Sequence, residues 1–184
     1  GEIVGVAPGA ELVPLRVTAP RATLPGVPDI PAPGLVWPGL RRLRRAINYA
    51  VVRAECDVIS MSLGGLNTWF TGLHEAVRRA RRAGLIVAAA AGNHTRNVAV
   101  YPAAFDEVIS CAATNAAAEP WSGSAYGAHV DVAAPGESVW RAYYNSKGRP
   151  ITARSSGTSY AVANVAGIAA LWLEKHGGPG RRPG

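Results

Sequence analysis

Short apolar runs alternate with segments of helical period along most of this 184-residue chain, and that alternation fixes the fold class first. Val58-Ile59-Ser60-Met61, Leu85 to Ala90, Val108 to Ala112 and Val130 to Ala133 are short, rich in small and branched residues, and read as buried strands. Leu40, Leu43, Ile47, Val51 and Ala54 recur at steps of three and four, as do Phe70, Leu73, Val77 and Ala80, so each set gathers on one helical face. Gly84 stands where the second helix should stop. Strands separated by helices of this length predict a mainly parallel α/β sheet with right-handed crossovers.

The rest of the chain is less regular. Leu12 to Val17 reads as a short strand near a sheet edge, because Pro14 cannot donate to a ladder. Thr18 to Pro38 carries six of the fourteen prolines without a period, which predicts an ordered loop or insertion. Around Asn145-Ser146-Lys147-Gly148 two short segments predict a β-hairpin. From Thr158 to Lys175, Ala161, Val162, Val165, Ala166, Ile168, Ala169, Leu171 and Trp172 cover most of a helix circumference, which predicts a buried helix. Residues 177–184 form a Gly/Pro/Arg tail, expected to be flexible, so the domain is placed at 1–176.

Composition narrows the function classes. With 48% hydrophobic and 17% charged residues, the chain can bury a core and is no disordered tail. No apolar run is long enough to cross a membrane as a helix. Two cysteines, Cys56 and Cys111, exclude a disulfide-rich scaffold or a four-cysteine zinc site and leave either one bridge or two small buried residues. The net charge of +7 and the runs Arg41-Arg42-Leu43-Arg44-Arg45 and Arg78-Arg79-Ala80-Arg81-Arg82 raise a nucleic-acid-binding module as one reading. These arginines fall between the apolar seam positions, as on the solvated face of a helix packed on a sheet, and no nucleic-acid motif accompanies them. The chain opens on Gly1 and its only methionine is Met61, so it is expected to be an excerpt of a longer protein. The five tryptophans, Trp37, Trp69, Trp121, Trp140 and Trp172, are scattered and read as packing residues.

Ligand sites of parallel α/β sheets lie beyond the carboxyl ends of the strands. Here one strand runs into Ser62-Leu63-Gly64-Gly65 and another into Ala91-Gly92-Asn93-His94. Their glycines allow main chain to approach a ligand closely, and Asn93 brings a side-chain amide to the same crevice. A Gly-rich turn alone is ordinary loop chemistry. A third element, Ser155-Ser156-Gly157-Thr158-Ser159-Tyr160-Ala161, leads from the hairpin into the apolar helix. Ser159 falls in its first turn, where unpaired amides and the helix dipole favour negative charge. A serine there is usually a cap, but Thr158 is better placed to cap, which frees Ser159 to point elsewhere.

Gly157-Thr158-Ser159-Tyr160-Ala161 followed by Val165-Ala166-Gly167 resembles the nucleophile motif of the subtilisin-like serine peptidases. In the order of that family, Gly5-Val6-Ala7-Pro8 resembles the segment after its catalytic-histidine helix, and 57–65 its substrate-binding strand. Residues 87–93 resemble its oxyanion strand, Tyr101-Pro102-Ala103 the following turn, and 132–136 a later strand end. The resemblance implies a three-layer α/β/α fold, with Ser159 as nucleophile and Asn93 as oxyanion donor beside the Ser159 N–H. It implies substrate binding by Ser62, Leu63 and Gly64 on one side and by Ala90, Ala91 and Gly92 on the other. The implied partner is an extended protein or peptide substrate, and the implied localisation is secretion. Structural calcium also belongs to the family, but no residue here is named as a ligand.

Departures bear on activity. The family's catalytic Asp and His lie in motifs that precede the start of this chain, and neither motif occurs here. The missing N-terminal segment of the same domain is therefore an expected partner, and the 184-residue chain alone is expected to be inactive. His94, next to Asn93, is the only histidine near the crevice. Ala163 and Asn164 stand where the family usually has Pro and His. Val100 stands where it often has a glycine at the pocket floor, which predicts a preference for small side chains. A subtilase-fold pseudoenzyme serving as a binding module is the alternative, and the presence of both Ser159 and Asn93 speaks against it.

Overall fold

The structure is a computed structural model, and it describes residues 5–17, 39–66, 71–145 and 147–177. In chain order the elements are α1 (Leu40–Val52), β1 (Val58–Met61), α2 (Thr71–Arg82), β2 (Ile86–Ala90), β3 (Ile109–Thr114), β4 (Val132–Pro135), β5 (Val139–Tyr144), β6 (Pro150–Ser155) and α3 (Thr158–His176). The first four strands form one parallel sheet in the order β1-β2-β3-β4, with Ser60 opposite Ala88, Ala90 opposite Cys111 and Ala112 opposite Ala133. β1 is an outer strand, and among the described residues nothing pairs with its free side.

Alternation along β2 builds the three layers. Val87 and Ala89 pack with Leu43 and Ile47 of α1 and with Leu73, Val77 and Ala80 of α2. Ala88 and Ala90 face the other way, with Cys111, onto Val162 and Val165 of α3. A strand that is apolar at every position is thus buried on both faces, as a parallel sheet between helices requires. The alanines of β2 and β3 keep the sheet thin, so α3 lies close against all four strands.

Several elements match the sequence reading. β1 and α1 fall where the pattern puts them, and Gly84 ends α2 with a left-handed φ of 89°. The hairpin β5–β6 closes through Asn145, whose side-chain oxygen accepts the Lys147 and Arg149 N–H groups. The two arginine clusters lie on the exposed faces of α1 and α2. Cys56 and Cys111 are both free thiols; Cys111 is fully buried, and burial pushes its pKa up to about 12.

Others differ. Residues 12–17 form no strand, and Leu12 is 86% exposed. Only the β1–β2 crossover carries a helix; β2 reaches β3, and β3 reaches β4, through irregular chain. Along α3, Ile168, Leu171 and Trp172 are exposed, although Val6 and Ala7 pack against Gly167 on the side away from the sheet. Trp140 and Trp172 are likewise about half exposed rather than packed. The predicted loop at Thr18–Pro38, Phe70, Trp37, Trp69 and the tail after Gly177 lie outside the described residues. No described helix is long and apolar enough to cross a membrane.

Candidate active site

The serine singled out by the sequence opens α3. Gly157 is the N-cap residue, its N–H donating to Gly136 O at 2.8 Å, and no side chain caps the helix from that position. Of the first amides of α3, that of Thr158 donates to Asn93 Oδ1 at 2.9 Å and that of Tyr160 to Gly157 O at 3.0 Å. The Ser159 N–H between them has no acceptor among the described residues. Ser159 is half-buried, and its hydroxyl is likewise unpaired among the described residues. An uncommitted hydroxyl thus sits at the positive end of a nineteen-residue helix, beside a free donor.

Thr158 does not cap as its position suggests. It is the first helical residue and is 1% exposed, and its hydroxyl points back to the β2 end of the sheet. Thr158 Oγ1 accepts the Gly92 N–H at 3.2 Å and lies 2.8 Å from Asn93 Oδ1. Since the Gly92 amide can only donate, the threonine proton is available for Asn93. The same atom of Asn93 accepts the Thr158 N–H, so it must be the carbonyl oxygen. Both acceptor contacts fall on Oδ1, which turns the Nδ2 amino group the other way, toward Gly157. A Cβ placed on Gly157 would lie 3.3 Å from Nδ2. Nδ2 donates to no described residue. The sequence reading missed Thr158; its position between Gly157 and Ser159 was the available signal.

Two loops flank this helix start. On one side Ser62 Oγ donates to Ser159 O at 3.2 Å, tying the β1 extension to the serine. Gly65 and Tyr101 exchange both main-chain hydrogen bonds at 2.9 Å, and Leu63 packs partly into the core near Tyr101. Gly64 is pressed against Val100 so closely that any Cβ would collide with Val100 Cγ1. On the other side Ala91 donates to Cys111 O at 2.9 Å, and Gly92 follows at φ +115°, a conformation that favours glycine. Ala90 and Ala91 are buried, so what they offer a ligand is main chain rather than side chain. The loop beginning at Gly92 is zipped to a second one, with Ala125 N–H donating to Gly92 O and Thr95 Oγ1 to Ser122 O.

None of the chain's four histidines hydrogen-bonds to Ser159. His74 lies on α2, across the sheet from α3, with Nε2 2.8 Å from Glu107 and its ring stacked on Phe105 at 4.1 Å. Burial alone would raise the Glu107 carboxyl. Hydrogen bonds from Arg78 and His74 outweigh it and hold the pKa at about 2. His94 turns toward Gly92, with Nε2 2.9 Å from where a Gly92 Cβ would be, and neither ring nitrogen has a partner among the described residues. His176 bonds to Trp172 O within α3, and His129 Nε2 is buried without a partner among the described residues. Among the described residues no three His, Cys, Asp or Glu side chains converge, so the calcium implied by the resemblance finds no carboxylate set here.

The arrangement offers a nucleophile-type hydroxyl, an N–H on the same residue and an Asn93 amino group beside Gly157, all without partners among the described residues, and main chain on both flanks. Comparisons with known proteins give it a context. The model of the subtilase peptidase family matches residues 1–180. Subtilisin DY of Bacillus licheniformis is 34% identical over 178 residues, covering 95% of this chain and 58% of its own length. Thermitase of Thermoactinomyces vulgaris is 38% identical over 155 residues, covering 84% of this chain and 52% of its own. Among solved structures, a cold-adapted subtilisin-like serine proteinase superposes with a TM-score of 0.68 at 31% identity, over 78% of this chain and 51% of that one. A protease from Pseudoalteromonas arctica gives 0.70 at 29% identity, over 74% of this chain and 47% of that one. The chain spans about half the length of these relatives, and over that span it belongs to the subtilase family of serine peptidases.

Proposed function

We propose that the chain carries the nucleophile-bearing portion of a serine endopeptidase. Ser159 Oγ attacks the carbonyl carbon of the scissile peptide bond as a general base takes its proton. The C–N bond then breaks as the same base protonates the leaving amine, and water releases the acyl group from Ser159 in the second half. The developing oxyanion accepts hydrogen bonds from Asn93 Nδ2 and the Ser159 N–H. An extended substrate pairs by main chain with Ser62-Leu63-Gly64 on one flank and with Ala90-Ala91-Gly92 on the other. The observation that carries this reading is the pair of donors left free beside an uncommitted serine hydroxyl, one of them aimed by Thr158.

The base and its orienting carboxylate come from an N-terminal segment of the same domain. Three observations support this. No histidine of the chain bonds to Ser159. The relatives are about twice as long. Ile168, Leu171 and Trp172 of α3 are left exposed. The 184-residue chain by itself is then inactive, since a serine without its base is a poor nucleophile. A relative from a Thermus strain, 37% identical, bears the name extracellular serine proteinase, which supports secretion of the parent protein.

Fluorophosphonate labelling tests the reading. The full-length protein is labelled at Ser159 and loses labelling on Ser159→Ala, while the isolated chain reacts at a background rate. Ready labelling of the isolated chain would refute the need for an added base. A pseudoenzyme is the second reading, favoured by one observation: Asn93 Oδ1 has a structural task at Thr158, so the presence of Asn93 alone does not argue for catalysis. An unlabelled full-length protein would favour that reading.

A further inference from the structure

The outer faces of α1 and α2 carry charge that the reaction described above does not use. α1 holds Arg41, Arg42, Arg44 and Arg45 and no acid, and α2 holds Arg78, Arg79, Arg81 and Arg82 against Glu75 alone. All of these arginines are exposed. A helix face that serves solubility alone mixes both signs, so bases this far in excess ask for another reason. The placement does not serve α1 either. Arg41 and Arg42 lie in its first turn, where the helix dipole disfavours cations and no acid offsets them.

The two helices form one layer. Arg79 donates to Asn48 Oδ1 at 3.2 Å across their seam, and Arg44 lies against Gly72, its Nη1 2.9 Å from where a Cβ would be. Arg78 and Arg82 are paired with Glu107 and Glu75. On α1, Arg41, Arg45, Tyr49 and Val52 recur at steps of four, four and three, opposite the buried Leu43, Ile47 and Ala50, with Arg42 beside them. Tyr49 is 48% and Val52 64% exposed. The stripe therefore begins basic and ends apolar over a length of about 16 Å.

We propose that this stripe docks the protein peripherally on the anionic surface of a lipid bilayer. The guanidinium groups pair with headgroup phosphates, Tyr49 lies at headgroup depth, and Val52 enters the boundary with the acyl chains. A nucleic acid would match the arginines but offers no apolar layer for Val52, and it is the union of both chemistries on one helix face that selects a bilayer. α3 packs on the opposite face of the sheet, so docking does not involve Ser159 and stands apart from the peptidase reading.

The test is co-sedimentation of full-length protein carrying Ser159→Ala with vesicles of phosphatidylcholine alone or with about 30% phosphatidylserine added. Binding to the anionic vesicles should be at least about tenfold stronger than to the neutral ones and should weaken with added salt. Arg41→Gln with Arg45→Gln should lower it about 10- to 30-fold. Tyr49→Ser with Val52→Ser should lower it about 5- to 10-fold, and should do so at high salt as well. Thermal unfolding shows that both variants keep their fold, and the comparison of the two vesicles decides the matter without either variant. Equal binding to both vesicles, or none, overturns the proposal. So does a folded Tyr49→Ser, Val52→Ser variant that binds anionic vesicles as well as its parent, since the contact would then be charge alone. A DNA duplex bound more tightly than anionic vesicles at equal phosphate concentration would assign the face to nucleic acid and overturn it too.

Discussion

Thr158 holds Asn93 by two of its own atoms, the backbone N–H at 2.9 Å and the hydroxyl at 2.8 Å, both on Oδ1. A freely rotating carboxamide would present its oxygen as often as its nitrogen to a ligand. Here the nitrogen faces the side of Gly157 because the oxygen is occupied twice.

Removing the threonine hydroxyl should therefore impair turnover through another residue. Thr158→Val leaves the part-buried Gly92 N–H without its acceptor, a loss of about 0.5–1.5 kcal/mol in stability, and frees Asn93 to reorient. We expect kcat to fall about tenfold with little change in KM, and Thr158→Ser to recover most of it. Thermal unfolding and steady-state kinetics on the full-length protein would check both parts. A kcat loss in Thr158→Ser as large as in Thr158→Val would contradict the assignment.

If Asn93 serves as the proposed oxyanion donor, its loss should cost more. Asn93→Ala is expected to lower kcat by about 10²–10³, the magnitude known from the equivalent donor of a subtilisin. KM should move far less, because the hydrogen bond forms only as charge develops on the oxygen. A proportional rise in KM with unchanged kcat would instead mark Asn93 as a ground-state binding residue.

On the opposite face of the sheet, Glu107 joins Arg78 and His74 at 2.8 Å each. Its folded pKa of about 2 lies below the ordinary 4.5, so its stabilising contribution is complete above about pH 5 and is lost as pH falls toward 2. Glu107→Gln should lower Tm by a few degrees at neutral pH and flatten the acid limb of a Tm-against-pH curve between about pH 5 and 2. An acid limb identical to wild type would show that other carboxylates govern it.

The contact between Gly64 and Val100 can be measured as a coupling. Gly64→Ala should destabilise by about 1–3 kcal/mol through overpacking. In the Val100→Ala background the added methyl gains room, so the double mutant should be more stable than the sum of the singles by about 0.5–3 kcal/mol. Denaturant unfolding of the four proteins gives the cycle, and strict additivity would mean that the walls give way instead.

How far the sequence carried depended on whether local pattern or distant packing decided each feature. α1 and β1 were legible because period and apolar runs are local properties, and the hairpin because Asn145 and Gly148 build the turn from within it. The catalytic candidates were legible from motif, yet Thr158 was read as a cap. What its hydroxyl bonds to is settled by Gly92 and Asn93, more than sixty residues away in sequence. The strand expected at 12–17 did not form: an apolar run becomes a strand only when it pairs, and 12–17 pairs with no described strand. The apolar circumference of α3 implied cover on all sides, but among the described residues Ile168, Leu171 and Trp172 are exposed.

Among the described residues the outer rim of β1 is unpaired, which has a consequence for handling the 184-residue polypeptide by itself. Amides and carbonyls without a partner among those residues form a ready template on which a neighbouring molecule can lay down its own strand. Stock solutions of the isolated polypeptide should accordingly turn turbid as concentration rises.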